Sequence, residues 1–459
     1  MHLQPTRLTL SLAAAGLLCG LFAAGPAHAL TIEELAKKLE AVEAQNAALK
    51  AKVEKLEAAQ GQQAQQVQQQ AQAVEKVQQA AAAATATSNA ASWAANTTVS
   101  SYGEIGYSRP SKASDKANVD VGRAVIGISH RFDDKTKMVS EFEVEHTIVS
   151  KSDAGEFEVE QLYVEREFAN GLRGKAGLFL MPVGLINLNH EPTAYLGVFR
   201  PDVDTKIVPS TWREVGIGLS GDTAFGATWD VGMTTGPNLS KWDPASDEGR
   251  VRGPLAATHG EGQFASARDP LVHAAVNWRG IPGLHVGGSV VAGKLGQGQP
   301  GFLGNKSTLL MLDLHARYEI NGWDFAGEFI RARISNTEAL NGSYSASSTV
   351  NPTLVPALFY GGYVQAAYKW RLGGDYTLIP FTRYEVLNTA AGYGSLSAAA
   401  GGVARPDEKI WTVGASLRIG EGVVLKADYR SYKNDKLPSE IPPGFTKGNS
   451  LNLGVGYSF

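Results

Sequence analysis

The final nine residues alternate. Leu451, Leu453, Val455, Tyr457 and Phe459 stand against Asn452, Gly454, Gly456 and Ser458. A period of two marks a β-strand with one apolar and one small or polar face. In a soluble sandwich the apolar face looks inward. In a membrane barrel it looks out at lipid and the polar face lines a lumen.

The rest of the chain repeats the pattern from about residue 98. Sixteen strands are expected, near 98–107, 119–131, 136–148, 156–168, 172–181, 212–220, 225–235, 270–279, 283–293, 307–319, 322–334, 358–371, 375–388, 408–419, 422–433 and 449–459. Several alternate cleanly: Leu310, Leu312, Leu314, Ala316 and Tyr318 oppose Asp313, His315, Arg317 and Glu319. Every second connection is tight, as at Asn170-Gly171, Asn321-Gly322 and Gly373-Gly374, which are hairpin signals. The intervening connections are longer. Loops sorted by parity, with both ends of the sheet on the short-turn side, predict an all-β, sixteen-stranded antiparallel transmembrane β-barrel over residues 98–459.

A different period precedes the barrel. Ile32, Leu39, Asn46, Val53, Val67 and Val74 fall on one heptad position; Leu35, Val42, Leu49, Leu56 and Val77 fall on the other. That predicts an α-helical coiled coil over residues 30–78, whose seam needs further copies of the chain. A single amphipathic helix lying on a surface is the alternative. Residues 79–97, rich in Ala with Ser, Thr and Asn, read as a linker. Residues 1–29 read as a secretory signal peptide: a basic start, an apolar run from Leu8 and Ala27-His28-Ala29 as cleavage site. The single Cys, Cys19, lies within it, so thiol chemistry is excluded from the mature chain. The 42 basic and 45 acidic residues leave no concentrated basic surface for a nucleic acid.

The alternation assigns charges to the polar face. The third strand presents Glu141, Glu143 and Glu145 there, and Arg123 and Arg317 are placed with it. Strands twelve to fifteen add Lys369, Arg371, Arg383, Arg418, Lys426 and Arg430. A cation on the lipid face would cost about 2–4 kcal/mol at mid-bilayer, which favours the inward assignment. These are the expected pore-lining residues, acidic on one arc and basic on another. No catalytic motif accompanies them. His190-Glu191 lacks a second His at helical spacing, and no nucleophile elbow, glycine-rich phosphate loop or metal-ligand spacing is present. No enzyme activity, cofactor or metal is expected.

The third long loop, residues 182–211, is the most informative connection. The run GLFLMPVGLINLNHEP, followed by PSTWREVGIGLSG and preceded by EQLYVEREFANGLRGKAG, resembles the phosphate-selective porin O and P family of Gram-negative outer membranes. A last strand ending in Phe459 resembles the signal by which such barrels are recognised for insertion. The resemblance implies a trimeric, sixteen-stranded anion porin whose third long loop narrows the pore. Arg200, Lys206, Arg213, Glu191 and Asp202 are the expected constriction residues. The chain departs from the family in lacking a lysine cluster between Pro182 and Thr211.

The expected function is diffusion of small hydrophilic solutes, leaning toward anions such as phosphate, through an outer-membrane homotrimer with its coiled coil in the periplasm. A second expectation is an envelope tether, in which the barrel anchors a coiled coil that binds peptidoglycan or a partner. A third is an outer-membrane hydrolase.

Overall fold

The computed structural model describes residues 32–86, 92–169, 171–246, 248–347, 351–434 and 448–459. The expected signal peptide, Cys19 included, lies outside them. The chain divides into two units, Met1–Asn89 and Ala90–Phe459.

The first unit is one helix, α1, Ile32–Ala86. It runs past Gln78 into the stretch expected to be linker, because the alanines of residues 80–86 are the best helix formers and nothing there breaks the helix. The seam residues Leu39, Val42, Leu49, Val53 and Leu56 are exposed in the single chain. No described helix is long and apolar enough to cross a membrane.

The second unit is a single closed antiparallel sheet. Its first segments are β1 Thr97–Pro110, β2 Asn118–Arg131, β3 Thr136–Glu145, β4 Glu156–Glu167, β5 Arg173–Leu180 and β6 Arg213–Asp222. Then come β7 Ala227–Thr234, β8 Leu271–Trp278, β9 Leu284–Lys294, β10 Thr308–Ile320, β11 Trp323–Ser335 and β12 Leu358–Tyr368. The last are β13 Trp370–Gly373, β14 Tyr376–Gly392, β15 Glu408–Ile419, β16 Val423–Asn434 and β17 Gly448–Ser458. β12 and β13 both pair with β14 and are one barrel strand interrupted at Lys369, so the seventeen segments make sixteen strands. The barrel closes where β1 pairs with β17, from Tyr102↔Ser458 to Pro110↔Ser450.

The tight turns follow their residues. Asn321 (φ 49°) and Gly322 (φ 86°) both take left-handed conformations, which a two-residue hairpin with native twist requires. Around the short-turn end stands a girdle of exposed aromatics: Phe132, Phe168, Phe225, Trp323, Trp370 and Phe459. The outer wall above it is apolar, as Leu310, Leu312, Leu314, Leu451, Leu453 and Val455 are exposed while Asp313, His315 and Asn452 are buried inside. Toward the long loops the outer face turns basic, with Arg109, Lys294, Arg331, Arg333 and Lys433 exposed.

The interior is not uniformly polar. Ile330, Ala332 and Ile334 of β11, with Met311, Phe359, Leu387 and Ile410, form an apolar floor inside the upper barrel. Val203, Ile207 and Val208 of the long β5–β6 loop pack on it, together with Leu239, Trp242 and Leu255 of the β7–β8 loop. The loops are therefore held within the barrel by apolar burial as well as by polar contacts.

Candidate functional site

The β5–β6 connection, here loop L3, folds into the barrel. Its base is stapled by Asn187, whose Nδ2 donates to Met181 O (2.7 Å) and Trp212 O (2.9 Å). In return the Trp212 amide donates to Asn187 Oδ1 (2.7 Å). Both ends of the loop are thus gathered by one side chain. L3 then crosses toward the opposite wall. The Gly184 amide donates to Asp313 of β10 (3.1 Å) and the Leu185 amide to Glu328 of β11 (2.8 Å). Farther on, Arg418 of β15 donates to Thr193 O (2.7 Å) and Arg383 of β14 to Leu196 O (3.1 Å). Arg430 of β16 donates to both Phe199 O (2.7 Å) and Arg200 O (2.8 Å).

These contacts locate the residues singled out from the sequence. Asp202 and Lys206, one π-helical turn apart around Val203–Ile207, pair at 2.9 Å. Lys206 also meets Glu408 (2.9 Å) and Asp202 meets Arg430 (2.8 Å). Burial pushes the Asp202 carboxyl up, but the Lys206 and Arg430 cations override it and hold it below the usual range. Arg200 donates to the Ser210 and Thr211 hydroxyls (3.0 and 2.9 Å). All three are buried struts of L3. Arg213 pairs with Glu158 (2.5 Å), and Glu191 is half-buried beside His190. A neighbouring acid is less well matched: burial, with the Glu385 carboxylate close by, pushes Asp204 up to about 7.

The acidic arc lies on β3 and β4. Glu143 is buried, Glu141 and Glu145 half-buried, and Gln161 Nε2 donates to Glu141 Oε2 (2.5 Å). Arg123 pairs with Glu104 (2.9 Å) and donates to His190 O (2.5 Å). On the basic arc, Lys426 Nζ stands over the Tyr195 ring at 3.6 Å from its centre, a cation–π contact that replaces an ion pair. Arg317 pairs with Asp324 (2.6 Å), and Lys369 with Glu319 (2.5 Å). Arg371 sits at the short-turn rim without a carboxylate partner among the described residues.

Beneath L3 a cavity of ≈ 270 Å³ is lined by Arg279, His285, Arg317, Gln365 and Arg383 together with Leu185 and Tyr195 of the loop. A wider recess of ≈ 890 Å³ at the short-turn rim is lined by Lys369, Arg371 and Arg418. Residues the sequence pattern did not single out complete the arrangement. His190 of L3, Tyr102 of β1 and Glu160 of β4 join in one buried network, in which the Tyr102 hydroxyl donates to Glu160 Oε2 (2.6 Å), while Tyr195 of L3 donates to Glu104 of β1. Their alternation with outward-facing neighbours on β1 and β4 was the available signal.

No protein-family model matches the sequence. A protein of Aquifex aeolicus (strain VF5), described as uncharacterized, is 28% identical over 353 residues, covering 74% of this chain and 77% of its own length. Among solved structures, Salmonella typhi OmpF in complex with daunomycin aligns over 79% of this chain and 97% of its own, with 14% identity and a TM-score of 0.53. The anion-selective porin from Comamonas acidovorans aligns over 79% of this chain and 100% of its own, with 12% identity and a TM-score of 0.47. The likeness to OmpF shows the fold, a closed antiparallel β-barrel.

Proposed function

We propose that this protein is a porin of a Gram-negative outer membrane, a passive, non-enzymatic channel for small hydrophilic solutes. The observation that carries the reading is a loop fixed inside a closed barrel whose outer wall is apolar and girdled by aromatics. An apolar exterior belongs against hydrocarbon, and a polar interior then encloses water. Pinning one loop across the interior at many points sets a constriction that does not move with each passing solute. Assembly as a homotrimer and residence of α1 in the periplasm are part of the same reading.

A preference for anions is supported by Arg279, Arg371 and Arg418 on the cavity and rim below L3. Cations that line a low-dielectric mouth raise the local concentration of anions. The constriction residues Arg200, Asp202 and Lys206 act in this reading by holding L3, while Arg371 and Arg279 act on the solute. The test is the reversal potential of the refolded protein in a planar bilayer under a KCl gradient, followed by titration of phosphate. A chloride-selective potential with block by phosphate is expected; a cation-selective one would overturn the anion preference.

A second reading, the envelope tether, is favoured by the exposed seam of α1. Deleting residues 32–86 separates the two: a porin still conducts, whereas a tether loses its attachment to the cell wall.

A further inference from the structure

We propose that Glu141, Glu160 and His190 form a binding site for a divalent transition-metal ion of the zinc class, which fastens L3 to the acidic wall. The three residues come from β3, β4 and L3, and one ligand atom of each lies within 4.8 Å of the others. His190 Nε2 and Glu160 Oε1 are 3.0 Å apart. Two ligands of a tetrahedral zinc at about 2.0–2.1 Å stand roughly 3.3 Å apart, so this pair is already close to chelating separation.

The surroundings are those of metal ligands rather than of an isolated ion pair. His190 Nδ1 lies 3.1 Å from Asn187 O, which fixes its proton there and turns Nε2 toward the carboxylates. Glu160 Oε2 is taken by Tyr102, leaving Glu160 Oε1 fully buried with no hydrogen bond. Glu141 Oε2 is held by Gln161, and Glu141, half-exposed to the lumen, offers the way in. The Tyr102 hydroxyl is also 2.7 Å from Nε2, but its one proton goes to Glu160. Around the site Glu141, Glu143, Glu145, Glu158 and Glu160 outnumber the permanent cations Arg123, Arg200 and Arg213 among the described residues. Buried carboxylates in excess of cations call for further positive charge, and one nitrogen with two oxygens suits zinc better than magnesium.

The test is equilibrium dialysis of the refolded, metal-stripped full chain against ZnCl2, with MgCl2 as competitor. Because binding is read without current, a channel that fails to conduct leaves the outcome intact. One zinc per chain, removed by EDTA and not displaced by excess magnesium, is expected. Glu160→Gln and His190→Gln should each weaken binding at least ten-fold, and Asp222→Asn, at the exposed end of β6, should leave it unchanged. No zinc binding, or binding unchanged in both variants, overturns the site. If either variant fails to fold, Glu141→Gln carries the same test from the lumen side, with the same expected and overturning outcomes.

Discussion

Arg430 holds Asp202 across the barrel interior: the guanidinium of a wall strand meets a carboxylate of L3 at 2.8 Å, and both are buried. The same guanidinium donates to two L3 carbonyls, so one side chain fixes the loop at three points. Arg430→Met leaves Asp202 with Lys206 alone and two carbonyls without donors. A loss of about 3–5 kcal/mol is expected for breaking such a buried pair. Denaturant unfolding of the refolded variant checks the stability, and single-channel recordings should show larger, noisier openings.

The wall is shaped for the loop at Gly361. A Cβ there would stand 2.9 Å from Ile207 Cγ1 and 3.1 Å from Val203 Cγ2, so even alanine makes L3 shift against β12. Gly361→Val is expected to cost about 1–3 kcal/mol by overpacking and to widen the conductance. Gly171→Ala, at a turn with nothing near its missing side chain, is the control for stability, and its φ of 75° makes a small loss there the reference.

Acid should tighten L3. Asp204 keeps its proton in the folded state up to about pH 7, whereas the unfolded chain gives it up near its ordinary value of about 4. Between those values the folded state binds more protons than the unfolded one, so this group's contribution to stability falls as pH rises. Thermal melting of the native chain should therefore exceed that of Asp204→Asn by more at pH 5 than at pH 8. An equal difference at both pH values would show that Asp204 titrates normally.

Selectivity should respond to cations that have no carboxylate partner among the described residues. Arg371→Glu together with Arg279→Glu reverses two charges below L3 without touching its struts. A charge a few ångströms away in water is worth about 1 kcal/mol, so the anion-to-cation permeability ratio should fall roughly several-fold. The reversal potential measures it directly. Lys369→Gln frees one charge of Glu319 and should shift the ratio the same way but less, since Arg317 still meets Glu319 and Asp324.

The strand pattern was readable because its cause is local. Alternation at Leu310–Glu319 and Leu451–Phe459 reports which face each residue takes, and turns such as Asn321-Gly322 fix where strands end. The inward position of Glu143, Lys426 and Arg430 followed from the same parity. The course of L3 was not readable, because it depends on Glu328, Arg383 and Arg430, which lie far away in sequence and approach only when the barrel closes. His190 was passed over for a related reason: a search along the chain looks for a second ligand a helical turn away, whereas Tyr102 and Glu160 arrive from separate strands. The apolar floor formed by Ile330, Ala332 and Ile334 reverses the usual parity of a lumen, and only the loops resting on it explain that.

The pairing of β1 with β17 has a consequence for biosynthesis. The first and last staves are hydrogen-bonded neighbours, so the sheet keeps two open edges until residues 450–458 reach residues 102–110. A chain halted before that point would expose two naked rows of amides and carbonyls, open to pairing with any other strand. Closure must therefore wait until residues 450–458 have been made, and until then the cell has to keep the unclosed sheet apart from its own copies.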